Sequence, residues 1–77
     1  MIAAMRHVAE ARRFGDHVRK RREARGYSQE RLAEGAGLHR TFIGRVERGE
    51  TNVTLYNIIR LARGLGVKPS QLVEPLD

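Results

Sequence analysis

Residues 28–48 constrain the fold most strongly, because they have the pattern of two short helices joined by a tight turn. Ser28 is a good N-cap for the first helix. Three small or apolar residues then repeat at helical spacing: Leu32, Ala33 and Ala36. Gly37 follows, and glycine readily adopts the positive φ that ends a helix. The second helix starts near residues 39–40, so the pattern predicts a helix-turn-helix unit.

The second helix of this unit has two different faces. Ile43, Val46 and Glu47 lie three or four positions apart and share one face, which we expect to point inward. The residues of the opposite face, which is basic and has little to bury, are Arg40, Thr41, Gly44, Arg45 and Arg48. A helix of this kind, held rigid by the helix before it, is suited to the major groove of DNA.

The length of 77 residues limits the chain to one small domain of modest stability. The sequence contains no cysteine, so neither a disulfide nor a thiolate metal site can supplement the core. A partner subunit is the simplest remaining source of additional stability.

The charge balance favours a polyanionic partner. Fifteen Lys and Arg against nine Asp and Glu give a net charge of +6. Nucleic acid is the first candidate and an anionic membrane surface the second. The four aromatic residues are scattered, whereas a stacking platform for single strands needs more of them. We therefore expect double-stranded DNA as the partner.

Three further helices are predicted outside the helix-turn-helix unit. The first runs from about residue 12 to residue 25, with Phe14 and Val18 as inward anchors. The next covers residues 55–65, is capped by Thr54, and carries an apolar stripe of Leu55, Ile58, Ala62 and Leu65, with Leu61 beside it. A short last helix begins at Pro69 and ends near Val73. The prediction is an all-α domain of five helices without a sheet.

The domain organisation follows from these elements. Residues 1–10 form either an N-terminal extension of the first helix or a disordered arm, and both alternatives stay open. Residues 11–77 form the DNA-binding domain, with the helix-turn-helix unit at 28–48 and a dimerisation region at 55–77.

A run of four cations at residues 19–22 encircles one turn of the first helix. It is either a solvated helix surface or, in part, a phosphate-binding surface.

Three stretches carry a resemblance to a known family: VRKRREARGYSQERLA, GLHRTFIGRVERG and LYNIIRLARGLGV. In their mutual spacing the chain resembles the λ-repressor-like helix-turn-helix family, also called XRE-type regulators, from about residue 14 to residue 73. The stretch TNVTLYNIIRLARGLGV lacks the proline that many members carry after the recognition helix. In that respect, and in its short length, the chain is similar to the controller proteins of restriction-modification systems.

The resemblance implies roles for particular residues. Gln29 matches a glutamine that contacts a DNA phosphate and braces the recognition helix. Arg22 and Glu47 match an internal pair that joins the first helix to the third. The positions that match the family's base-reading residues are Arg40, Thr41 and Arg45.

The side-chain chemistry agrees with these roles and leaves alternatives open. Arg40 can donate two hydrogen bonds to guanine, or it contacts phosphate only. Thr41 either touches a base or caps the helix, and Arg45 reads a base or a phosphate. Arg48 and Asn52 lie at or beyond the helix end, where we expect them to contact the DNA backbone.

Glu47 lies among apolar neighbours on the inward face of the recognition helix. An unpaired buried carboxylate is costly, so we expect an arginine partner, and Arg22 is the one we propose. The alternative is an exposed Glu47 that tunes repulsion from DNA.

The predicted function is a homodimeric transcription regulator on a palindromic operator. Two recognition helices would then lie one helical turn of DNA apart, roughly 34 Å. Surplus apolar residues in the last two helices indicate the dimer interface: Ile59, Leu72, Val73 and Leu76.

Two other functions are weighed against this one. A DNA-binding antitoxin of a toxin–antitoxin pair is the first alternative, although the chain offers no long tail to wrap a toxin. A basic amphipathic protein at membranes is the second, suggested by residues 1–22.

Several classes of site are not expected. The sequence shows no catalytic constellation, and its three histidines lack metal-ligand spacing. We therefore expect no enzymatic activity, no cofactor, no metal and no small-molecule ligand. The chain has no apolar run long enough to span a membrane, and residues 1–9 are too short and too polar for a signal peptide. A cytoplasmic location is expected.

Overall fold

Five α-helices make up most of residues 2–76. The computed structural model describes the backbone of residues 2–76 and the side chains of residues 8–76; Met1 and Asp77, the outer ends of the predicted segments 1–10 and 11–77, lie outside it. The helices are α1 (Ile2–Ala24), α2 (Gln29–Ala36), α3 (Arg40–Glu47), α4 (Leu55–Leu65) and α5 (Pro69–Val73), and a short 3-10 helix (Glu74–Leu76) follows. Residues 2–76 contain no β-strand, in agreement with the predicted all-α class. No helix in this range has the length and apolarity needed to cross a membrane.

Helix α1 is longer than the sequence pattern predicted. The pattern placed its start near residue 12, whereas the helix begins at Ile2, so residues 2–10 continue it at the N-terminal end. These residues include no glycine or proline and several good helix formers, so nothing ends the helix before residue 12. At the other end, Gly26 adopts a φ of 69° just after the last turn.

The ends of α2 and α3 are fixed by local contacts. The Ser28 hydroxyl accepts a hydrogen bond from the backbone N–H of Arg31 at 3.0 Å, and Gly37 ends α2 with a φ of 67°. Both features agree with the sequence prediction. Helix α3 is capped by His39, whose Nδ1 accepts from the backbone N–H of Thr41 at 3.1 Å. The capping role considered for Thr41 therefore belongs to His39.

The core draws side chains from all five helices. The larger ones that are almost completely buried are Val18, Leu32, Ile43, Val46, Leu61, Leu65 and Leu72. Each aliphatic side chain of this size contributes about 1.5–3 kcal/mol when it is removed from water.

The predicted inward stripe of α4 needs one correction. Leu55 was placed in that stripe, but 72% of its surface is exposed. The buried residues of α4 are Leu61, Ala62 and Leu65, all in its second half. In the first half of α4, Ile58 is half-buried against the core, whereas Leu55 projects into solvent.

Helices α1 and α3 approach each other so closely that only glycine fits at residue 15. A Cβ atom at Gly15 would lie 2.0 Å from the carbonyl oxygen of Val46 and 3.0 Å from that of Glu47. Both oxygens belong to the backbone, which cannot move aside as a flexible side chain can. Gly15 thus sets the distance between α1 and the C-terminal end of α3.

We expect Gly15→Ala to lower the free energy of unfolding by about 2–3 kcal/mol, because the added methyl group overpacks this contact. Urea unfolding followed by circular dichroism measures the loss. Gly35→Ala is the matched control, since its Cβ would lie 3.4 Å from the Cα of Gly64, an ordinary contact. Equal stabilities of the two variants would contradict the packing argument.

Candidate nucleic-acid interface

The inward face of α3 is buried as predicted. Ile43 and Val46 have exposures of 0% and 1%, and Glu47 has an exposure of 9%. The alternative of an exposed Glu47 is therefore wrong. Because this face packs into the core, the opposite face of the same helix points away from the protein.

A buried ion pair joins α3 to α1. Arg22 Nε donates to Glu47 Oε2 at 2.6 Å, and Arg22 Nη2 donates to Glu47 Oε1 at 3.0 Å. The two side chains are 12% and 4% exposed. The pair proposed from the sequence is thus present, with the two parallel bonds that arginine and carboxylate form best.

Further hydrogen bonds complete the network around this pair. Arg22 Nη1 donates to the carbonyl oxygen of Tyr27 at 2.7 Å, and Gln29 Nε2 donates to Glu47 Oε1 at 3.1 Å. The hydrogen bond to Glu47 raises the pKa of Arg22, against the effect of burial. The charged network therefore links α1, the start of α2 and the end of α3, which fixes the orientation of α3.

The outward face of α3 is open to solvent at Arg40, Thr41 and Arg45, and Arg48, directly after the helix, is exposed as well. Gly44 differs from the prediction, because it is buried beneath neighbouring side chains: a Cβ there would meet Arg48 Nη1 at 3.0 Å and Gln29 Oε1 at 3.7 Å. The residues that line one cleft on this surface are Gln29, Arg40, Thr41, Gly44 and Arg48.

Two of the predicted DNA-contacting residues lie outside this cleft. Arg45 is exposed on α3 without lining the cleft. Asn52 is exposed in the following loop, where it lines a separate groove together with Phe14 and Ile58. The structure therefore brings four of the six predicted DNA-contacting residues together in one cleft, and Arg45 and Asn52 lie outside it.

Two arginines of this site form ion pairs with carboxylates. These carboxylates were not among the site residues predicted from the sequence. Glu30 Oε2 lies 3.4 Å from Arg40 Nε, and Glu50 Oε1 lies 3.0 Å from Arg48 Nε. All four side chains are more than half exposed, and ion pairs of this kind contribute little stability. The arginines can therefore exchange these carboxylates for a phosphate or a base at small cost.

The cationic run at residues 19–22 divides into separate contacts. Arg19 and Lys20 both pair with Asp16, and the hydrogen bond from Lys20 is the main cause that lowers the pKa of that carboxyl. Arg21 Nε donates to His17 Nε2 at 3.4 Å. Arg22 is engaged in the buried pair with Glu47, so it does not belong to a phosphate-binding surface.

The comparison with known proteins agrees with this geometry. The helix-turn-helix family model HTH_3 matches residues 18–72. The chain belongs to the helix-turn-helix family of DNA-binding transcription regulators. Members of this family bind DNA and are not enzymes.

Relatives of this helix-turn-helix regulator include several control proteins. The control protein C.SmaI of Serratia marcescens is 50% identical over 60 residues, which cover 78% of this chain and 71% of that protein. The control protein C.BamHI of Bacillus amyloliquefaciens is 45% identical over 62 residues, which cover 79% of this chain and 76% of that protein.

Solved structures of two similar proteins have the same fold. The restriction-modification controller protein C.AhdI from Aeromonas hydrophila superimposes with a TM-score of 0.81 at 47% identity, over 83% of this chain and 97% of that one. The hypothetical transcription factor NHTF from Neisseria superimposes with a TM-score of 0.76 at 40% identity, over 80% of this chain and 71% of that one. The fold predicted from the family resemblance is therefore confirmed.

The residues predicted for a dimer interface are not equally accessible in this regulator. Leu72 is fully buried in the protomer's own core, so it has no surface for a partner. Leu76 is half-buried against the same core. Ile59 and Val73 are 37% and 39% exposed. The dimer-interface prediction is wrong for Leu72, because the face of α5 that carries Leu72 packs against the rest of the chain.

We expect Arg22→Met to lower the free energy of unfolding by about 3–5 kcal/mol, because it leaves the Glu47 carboxylate buried without its charge partner. Denaturant unfolding measures the effect. The double variant Arg22→Met, Glu47→Met serves as the control and should recover most of the loss. A double variant as unstable as the single one would show that packing, rather than the charge, is what the pair supplies.

Proposed function

We propose that this regulator reads a palindromic DNA operator as a homodimer and acts as a controller protein of a restriction-modification system. The observation that carries the proposal is the exposed basic face of α3, held outward by the buried Arg22–Glu47 pair. Several of its relatives are control or controller proteins, and this similarity supports the more specific role. A regulator that binds an operator acts where the DNA is, so a cytoplasmic location is part of this proposal.

The exposed residues of α3 are suited to reading bases. Arg40 lies at the first position of the helix, the end that contacts base edges in helix-turn-helix proteins. Its guanidinium can donate to O6 and N7 of a guanine after it leaves Glu30. Thr41 can contact a thymine methyl group, and Arg45, one turn further on, can reach a base or a phosphate.

The residues around α3 are suited to binding the DNA backbone. Gln29 lies at the N-terminus of α2, where backbone N–H groups and the helix dipole also favour a phosphate. Arg48 and Asn52 follow α3 and are exposed. Contacts of this kind set affinity and its dependence on salt, whereas base contacts set sequence preference.

We expect Arg40→Ala to weaken binding to an operator selected from a random duplex library by about 1–3 kcal/mol, with little effect on a mixed-sequence duplex. Fluorescence anisotropy at several salt concentrations measures both affinities. Arg48→Ala is the matched control: it should weaken binding to both duplexes alike and reduce the salt slope by about one. Equal losses on both duplexes for Arg40→Ala would contradict its base-reading role.

Exposed apolar side chains near the C-terminus support the homodimer. Ile59 on α4 and Val73 on α5 are each more than one-third exposed, and Leu55 at the start of α4 is 72% exposed. Aliphatic surface of this kind is stabilised when a second copy covers it. A dimer would also bring two recognition helices to the two half-sites of a palindrome.

We expect Ile59→Asp to raise the dimer dissociation constant by at least about tenfold, because it buries a charge in the proposed interface. Sedimentation velocity across a concentration series measures the change, and circular dichroism shows that the fold is kept. Val8→Asp is the control, since Val8 is also an exposed aliphatic residue, 46% exposed, but lies on α1. Unchanged association of Ile59→Asp would exclude α4 from the interface.

A further inference from the structure

Two arginines cap the C-terminal ends of helices to which they do not belong. Arg60 of α4 donates from Nη1 to the carbonyl oxygen of Gly37 at 2.7 Å, just after α2. Arg25 donates from Nη1 to the carbonyl oxygen of Leu65 at 2.9 Å, the last residue of α4. A guanidinium at this end of a helix binds a free carbonyl group and interacts favourably with the helix dipole.

A tyrosine orients each of these guanidinium groups. Arg60 Nη2 contacts the Tyr56 hydroxyl, and its Cζ lies 4.4 Å from the centroid of the Tyr56 ring. Arg25 Nη2 donates to the Tyr27 hydroxyl at 3.1 Å, with its Cζ 5.1 Å from that ring centroid. Because the tyrosine limits the rotation of the guanidinium group, each arginine is oriented to donate a hydrogen bond to one carbonyl group.

The carbonyl groups that Arg25 and Arg60 contact lie in different parts of the fold. Leu65 ends α4, away from the recognition helix, whereas Gly37 lies in the turn between α2 and α3. This turn also contains the hydrogen bond from Leu38 N–H to the carbonyl oxygen of Ala33, at 3.0 Å. Only two residues separate Gly37 from Arg40, so a small rotation at Gly37 moves the start of α3.

We propose that Arg60, oriented by Tyr56, is a positioning residue for sequence recognition. It holds the carbonyl group of Gly37, and so keeps Arg40 and Thr41 in line with the base edges, without contacting DNA itself. The inference rests on the proposed base-reading role of α3. It also connects that role to α4, where Arg60 directly follows Ile59 of the proposed dimer interface.

A phosphate contact is the competing role for Arg60, and the two roles predict different behaviour. A phosphate ligand contributes to binding of every sequence and to counterion release, so its removal lowers the salt slope by about one. A positioning residue affects only the contacts that depend on the alignment of α3. The ratio of operator affinity to mixed-sequence affinity therefore separates the two roles.

The test measures this ratio and the salt slope for Arg60→Ala, Arg60→Lys and Arg63→Ala. We expect Arg60→Ala to weaken operator binding by about tenfold and mixed-sequence binding by less than about twofold, with the slope unchanged. Arg60→Lys keeps a donor for the Gly37 carbonyl and should restore most of the ratio. Arg63→Ala, which removes a charge from an exposed residue of the same helix, should leave the ratio unchanged.

Tyr56→Phe provides a second, milder variant in case Arg60→Ala fails to fold. It removes the hydroxyl but keeps the ring beneath the guanidinium, so we expect a smaller loss of the same ratio. Hydrogen exchange of the Leu38 amide should become faster in both variants if the turn is loosened.

Two results would overturn the inference. One is an equal loss on both duplexes with a reduced salt slope, which indicates a phosphate contact. The other is an unchanged ratio in a folded Arg60 or Tyr56 variant. Arg40→Ala is measured in parallel, because a loss of operator preference there, together with no loss in the Arg60 variants, contradicts the positioning role and leaves the proposed function standing.

Discussion

The buried pair between Arg22 and Glu47 is the interaction on which the orientation of α3 depends. Helix α3 has eight residues, too few to hold a defined orientation without tertiary contacts. Its apolar side chains bury one face, but apolar packing has no direction of its own. Hydrogen bonds are directional, and Glu47 accepts two charge-assisted hydrogen bonds from Arg22 and one hydrogen bond from Gln29, which together fix the orientation of α3. Gly15 contributes in another way, since it lets α1 approach the backbone of α3 closely enough for the pair to form.

The arginines that contribute to the net charge of +6 fall into two groups with different contacts. The first group makes contacts within the protein: Arg22 pairs with a buried carboxylate, while Arg25 and Arg60 donate to carbonyl groups at the ends of helices. The second group faces outward on and after α3, where exposed carboxylates pair with Arg40 and Arg48. Composition alone therefore indicates a polyanionic partner, but only the contacts show which cations are available to it.

Local features of the fold were predictable from the sequence, and contacts between distant residues were not. The Ser28 cap and the glycine turn at Gly37 depend on residues close in sequence, so their patterns sufficed. Periodicity identifies an apolar face but not what covers it, so exposed Leu55 was assigned to the core and buried Leu72 to a dimer interface. The contact of Arg60 with Gly37 spans 23 residues and leaves no periodic signal.

The central claim is that the outward face of α3 contacts DNA while the same helix stays fixed to the core. Nuclear magnetic resonance titration of the ¹⁵N-labelled protein with its selected operator duplex tests this claim most directly. The account predicts that the largest amide shifts occur at Gln29 and at residues 40–45, with small shifts at buried Val18 and Leu65. Shifts concentrated in α4 and α5, with α3 unaffected, would contradict it.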